Sequence, residues 1–177
     1  MPNRSFRILA ILVVAAALGG CAATGSHDLV APQAVNAPSN EIAGAHDIFV
    51  ATTRAPAKRP AEVFDGERGE TLSFAEVNVT VPTAHQIGKL ERPRVGRKVD
   101  PAKHFAATGV SLFRGDAAFR DALAVDIARN GGRAMVFIHG YNTSFDKAVY
   151  RATQIAHDSR YPGTPVLFTW ASAGNVV

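Results

Sequence analysis

Residues 134–170, AMVFIHGYNTSFDKAVYRATQIAHDSRYPGTPVLFTW, decide the fold. Ala134–Ile138 is an unbroken apolar run, short and closed by a His-Gly turn, so it reads as a buried strand. Beyond the turn the apolar residues Phe145, Ala148, Val149, Ala152 and Ile155 recur at helical spacing and mark one stripe of a helix over 144–158. Thr143, with Asp146 three residues on, forms a capping box at its start. Tyr161-Pro-Gly-Thr-Pro165 is a turn, and Val166–Trp170 is a second buried strand. A strand, a helix and a strand in this order make a βαβ unit, whose strands run parallel and whose helix covers one face of the sheet. The fold class is α/β.

Upstream, Phe74–Val81 alternates Val77, Val79 and Val81 with Glu76, Asn78 and Thr80, the period of a half-buried strand that Pro82 ends. Asp47–Thr52 is a short strand, and the charged, proline- and glycine-bearing stretch 54–69 reads as loop. Residues 83–104 form a second long loop with Lys89, Arg92, Arg94, Arg97, Lys98 and Lys103. With Glu91 and Asp100 among these charges, a solvated loop accounts for them, and contact with anionic headgroups is the alternative. Phe105–Phe113 is a further strand. Phe119, Leu123 and Ile127 then mark an amphipathic helix, capped by Asp116 and stopped by Asn130-Gly131-Gly132.

The other end of the chain is of a different kind. Arg4 and Arg7 precede the apolar run Ile8–Leu18, too short to span a bilayer, which takes ~20 residues, but with the length and flanks of a secretory signal. Leu18-Gly-Gly-Cys21 resembles the bacterial lipobox. Residues 1–20 are thus expected to be a lipoprotein signal peptide, with Cys21 lipidated at the mature N-terminus. Residues 21–45, rich in Ala, Pro, Ser and Asn, are expected to be a disordered tether, and residues 46–177 the folded part. Acyl chains hold a protein at a membrane without spanning it. Ala22 after the cysteine implies, by the same resemblance, the outer membrane, facing the periplasm. Cys21 is the only cysteine, so no intramolecular disulfide can form. Loss of Arg4 and Arg7 lowers the formal charge from +4 to +2, which gives no reason to expect a nucleic-acid partner.

The strand ending in His139-Gly140, turning into a helix, resembles the oxyanion-hole strand of α/β-hydrolases. FIHGYNTSFDKAVYRATQIAHD with PVLFTWASAG, and upstream VATTRAP (50–56), LSFAEVNVTVP (72–82) and DPAKHF (100–105), are similar to a bacterial family of esterase- or lipase-like α/β-hydrolases of unknown function. The resemblance runs over roughly residues 46–174. It implies that Tyr141 offers its backbone N–H to the oxyanion of a tetrahedral intermediate. Asn142 supports the turn or adds a donor, and His139 orders the turn rather than acting as base. Glycine at 140 would let the chain turn sharply and leave room beside the substrate.

The rest of such an apparatus is not in these residues. No G-x-S-x-G elbow occurs, and Ser172, in Trp170-Ala-Ser-Ala-Gly174, has tryptophan where the elbow needs a small residue. No nucleophile, acid or base is assigned. The six histidines are scattered, without the short spacing of a helical zinc site, and no metal or cofactor is implied. The chain is therefore expected to be the N-terminal portion of an α/β-hydrolase sheet, inactive alone. Val166–Trp170 is expected at its open edge, where a protein partner or further strands would pair. A non-enzymatic, lipid-anchored envelope module is the competing expectation.

Overall fold

A computed structural model describes residues 28–29, 37–93 and 98–172. Arg4, Arg7, the Ile8–Leu18 run, the lipobox with Cys21, Arg94 and Arg97 lie outside the described residues. The elements are β1 (Ile42–Pro56), β2 (Phe64–Pro82), β3 (Ala106–Phe113), α1 (Asp116–Arg129), β4 (Ala134–Ile138), α2 (Phe145–Asp158) and β5 (Thr164–Thr169), with two 3-10 turns at Ser39–Glu41 and Pro60–Glu62. The strands form one five-stranded sheet in the order β3-β2-β1-β5-β4. β1, β5 and β4 run parallel, and β2 and β3 extend the sheet antiparallel. The architecture is α/β, as the βαβ reading requires.

The pleat sorts the residues. Ile48 and Val50 of β1, Val77, Val79 and Val81 of β2, and Leu167 of β5 are fully buried. They pack with Phe145, Ala148, Val149 and Ala152 of α2 in one core. Each of these side chains larger than alanine contributes about 1.5–3 kcal/mol of burial free energy. The opposite face carries α1, which buries Phe119 among Phe49, Phe74 and Phe113 at ring separations of 4.8–5.9 Å. The polar set of β2 lies on that side, where the Asn78 amide donates to Asp47 at 2.6 Å.

Several expectations need correction. The loop expected over 54–69 is mostly paired strand, with Arg54 opposite Arg68 and Pro56 opposite Phe64. Two polar arms pair as a long hairpin because the backbone ladder needs no apolar side chains, which hid them from a reading by hydrophobic period. β1 begins at Ile42, inside the stretch expected as tether. Leu29, in the same stretch, is buried in the core and accepts a hydrogen bond from the Tyr150 hydroxyl at 2.9 Å.

Neither expected helix cap is seen. Asp116 is the first residue of α1 after Gly115 at φ 91°, and it faces Arg120 one turn on. Ser144, not Thr143, is the N-cap of α2. Asp146 is buried and pairs with Arg92, drawn from the basic loop, so one charge of that loop is not merely solvated.

β5 lies between β1 and β4, pairing with both, so Val166–Trp170 is not the open edge. That edge is β4, where Val136 and Ile138 are 61% and 60% exposed. A βαβ crossover fixes that two strands are parallel but not on which side of the first the second lies. A β1 that pairs with β5 rather than β4 settles it.

Candidate functional site

The carboxyl ends of β1, β5 and β4 meet at one rim of the sheet, where α/β proteins gather functional groups. β1 brings Thr52 and Arg54 there, β5 brings Thr169, and β4 leads into His139. All four are buried. The inward face of β1 is apolar at Ile48 and Val50, and the alternation of buried positions continues through Thr52 to Arg54 across a shift in the pairing with β2, so β1 carries a guanidinium into the protein.

Arg54 is 1% exposed. Its Nε donates to Thr169 Oγ1 at 2.9 Å. Nη1 donates to the carbonyls of Asp65 at 3.0 Å and Ser172 at 2.8 Å. Nη2 donates to the carbonyl of Thr143 at 2.6 Å and faces His139 Nε2 at 3.5 Å. Among the described residues no carboxylate forms a salt bridge with it. Burial therefore pulls its pKa down to about 10, against the field of Asp146 and Asp65.

His139 sits within this web. Its ring lies 5.3 Å from that of Trp170 at an interplanar angle of 14°, and the indole N–H donates back to the His139 carbonyl at 3.1 Å. Nδ1 is 2.7 Å from the Gly140 carbonyl oxygen. A carbonyl only accepts, so Nδ1 carries the proton. Nε2 then accepts, from the Thr169 hydroxyl at 2.7 Å and more loosely from the Trp170 backbone N–H at 3.3 Å. Burial lowers the His139 pKa and the Arg54 charge lowers it further, against the Gly140 bond. Both nitrogens of the neutral ring are thus occupied, Nδ1–H by the Gly140 carbonyl and the Nε2 lone pair by the Thr169 hydroxyl.

Tyr141 is 75% exposed at the rim, and no acceptor among the described residues takes its backbone N–H. Asn142 has φ 59°, a left-handed conformation that asparagine tolerates. Its Oδ1 is buried with no hydrogen-bond partner among the described residues. The tight turn expected of Gly140 is thus carried by Asn142, for Gly140 has no positive φ. A Cβ at 140 would meet nothing within 4 Å, so the space beside the turn is open. Ser172 accepts from the Thr143 backbone N–H at 3.1 Å and braces the turn. Arg54, Thr52 and Thr169 were missed in the sequence; the available signal was a charged residue in phase with the inward positions of β1.

The histidines are less scattered than the sequence suggests. At the opposite rim His46 Nε2 and His157 Nδ1 are 3.2 Å apart, and the His85 ring lies 5.7 Å from that of His157. His85 bridges Glu91 and Asp158, at 2.7 Å from each. Among the described residues no group of histidine, cysteine and carboxylate side chains could hold a metal ion.

No curated protein and no solved structure matches the chain significantly. Residues 116–177, from α1 through β5 and including the His139 turn, match the model of a family described as an alpha/beta hydrolase of unknown function (DUF900), and the α/β sheet is consistent with part of such a fold.

Proposed function

We propose that this chain is the N-terminal portion of a membrane-tethered serine hydrolase that cleaves carboxylic esters, with residues 139–142 as its oxyanion loop. The observation that carries the reading is the turn after β4. The Tyr141 N–H lies at the carboxyl rim of parallel strands, without an acceptor among the described residues, and is backed by a buried web that fixes the backbone. Rigid, unengaged donors are what a developing oxyanion requires. Without an elbow serine in these residues, the nucleophile, acid and base come from polypeptide beyond them, and the chain alone is inactive. The β4 edge is the natural place for the next strand. The N-terminal signal and Cys21 support attachment to the envelope by lipid, with the outer membrane facing the periplasm as the site. Among the described residues no helix is long and apolar enough to cross a membrane.

The exposed β4 edge also favours a second reading, in which the chain is a lipid-anchored module completed by a partner strand. One experiment separates them. Antibodies to residues 46–177 are used on cells that make the protein, with a fluorophosphonate probe for reactive serines on the same blot. The hydrolase reading expects a band well above 18.7 kDa that takes the probe. An unlabelled band at that mass or below sinks it and leaves the module.

A further inference from the structure

Resting on the reading of residues 139–142 as an oxyanion loop, the geometry points to Arg54 as the positioning residue of that loop, acting through the tautomer of His139. A guanidinium has five N–H donors in a fixed fork, and here all five face acceptors. Three are peptide carbonyls on separate segments, at Asp65, Thr143 and Ser172. The others are Thr169 Oγ1 and His139 Nε2. The fork thus joins the end of the turn after β4 to the turn after β5. A buried charge without a carboxylate in contact is costly, and most apolar side chains would fill the space without that cost. What they would lack is the set of donors.

The link to the oxyanion donor runs through one peptide plane. The Gly140 carbonyl and the Tyr141 N–H belong to the same planar unit, with oxygen and hydrogen on opposite sides. His139 Nδ1–H holds that carbonyl at 2.7 Å, so the ring sets the direction in which the Tyr141 N–H points. The bond exists only while the proton is on Nδ1. Were the neutral ring to carry it on Nε2, a lone pair would face the carbonyl oxygen and the plane would be pushed to rotate. Around Nε2 stand the Arg54 Nη2, the Thr169 hydroxyl and the Trp170 N–H. Arg54 Nε also fills one of the two acceptor positions of Thr169 Oγ1, which favours the hydroxyl hydrogen on the side of His139. The guanidinium therefore works against a proton on Nε2 in two ways, by its own N–H and by its hold on the threonine. The His139 pKa, lowered by burial and by the Arg54 charge, agrees with this arrangement.

The test uses the whole 177-residue chain and reads the His139 ring directly, by long-range nitrogen–proton correlation of the imidazoles, with far-UV circular dichroism to check folding. Trp170 is the only tryptophan and stacks on the ring, so its emission against pH reports the same titration. In the unaltered chain the ring is expected as the pure Nδ1–H form at pH 8. In Arg54→Met, and in Arg54→Lys, which keeps a charge but not the fork, Nε2–H signals are expected to appear. In Arg54→Met the midpoint of the Trp170 emission titration is also expected to move up. A folded variant with a pure Nδ1–H ring and an unmoved emission profile overturns the proposal. If neither variant folds, the unaltered chain decides, since an Nε2–H ring or an imidazolium at pH 8 overturns it and a pure Nδ1–H ring upholds it. None of these readouts involves ester turnover. Failure here leaves the hydrolase reading standing, and an unlabelled serine leaves the Arg54 result standing.

Discussion

Thr169→Val keeps the shape of a fully buried side chain and removes one hydroxyl, which makes its cost calculable from the bonds it breaks. That hydroxyl accepts from Arg54 Nε at 2.9 Å and donates to His139 Nε2 at 2.7 Å. Leaving a buried, charged N–H without its acceptor costs about 1.5–3 kcal/mol, and the loss of the bond to a neutral ring about 1 kcal/mol more. The added methyl offsets roughly 0.8 kcal/mol. The net expectation is a loss of about 2–3 kcal/mol, a large share of the ~5–15 kcal/mol typical of a domain. Thr80→Val is the matched control. Thr80 is also buried, at 6% exposed, but its hydroxyl makes only a long bond of 3.4 Å to the Ala106 carbonyl. Its loss is expected to stay below about 1 kcal/mol. Urea unfolding followed by circular dichroism gives both values. Equal losses in the two variants would show that the web around Arg54 and His139 carries no more energy than an ordinary threonine contact, and the account of the rim would fail.

Three further outcomes are expected. His85 has its pKa raised because its bonds to Asp158 and Glu91 outweigh the opposing effect of burial. The folded state thus holds that proton more tightly than the unfolded one, whose histidine titrates near 6.5. The stabilisation is complete below that pH and is lost as pH rises through the raised value. The urea midpoint should fall above pH 6.5, and His85→Gln should flatten that fall; parallel profiles would disprove the link. His46 and His157, both lowered mainly by burial and then by a neighbouring histidine, act the other way and weaken the fold as pH drops below 6.5. Gly163→Ala would set a Cβ 2.6 Å from the Arg133 carbonyl oxygen, which accepts the Thr164 N–H at 2.9 Å. A destabilisation of about 1–3 kcal/mol is expected, and an unchanged urea midpoint would contradict that packing. Replacing Val136 and Ile138 together by lysine should reduce concentration-dependent self-association in light scattering while leaving stability within about 0.5 kcal/mol. Unchanged association would place the sticky surface elsewhere than β4.

Those parts of the protein whose cause is local are legible in the sequence. The alternation of Val77, Val79 and Val81, the stripe of α2 and the apolar runs of β4 and β5 are each written within a few residues, because burial of one face imposes a period. The His139 turn was legible for the same reason, as a strand end running into a helix start. Polar strand arms carry no such signature, and so the hairpin through 54–69 read as loop. The order of strands is not legible either, since a crossover fixes direction and not side, so the open edge falls at β4 and not at β5 as the sequence suggests. Arg54 shows the remaining limit most clearly. Its acceptors lie 11 to 118 residues away along the chain, and only the sheet brings β1, β4 and β5 to one rim. Sequence placed a histidine and a glycine at the turn. Tertiary structure decided that Asn142 makes the turn, that Ser172 braces it, and that a buried guanidinium fixes its ring. Hydrogen-bond partners this far apart in the chain are chosen by packing, and no spacing in the sequence records them.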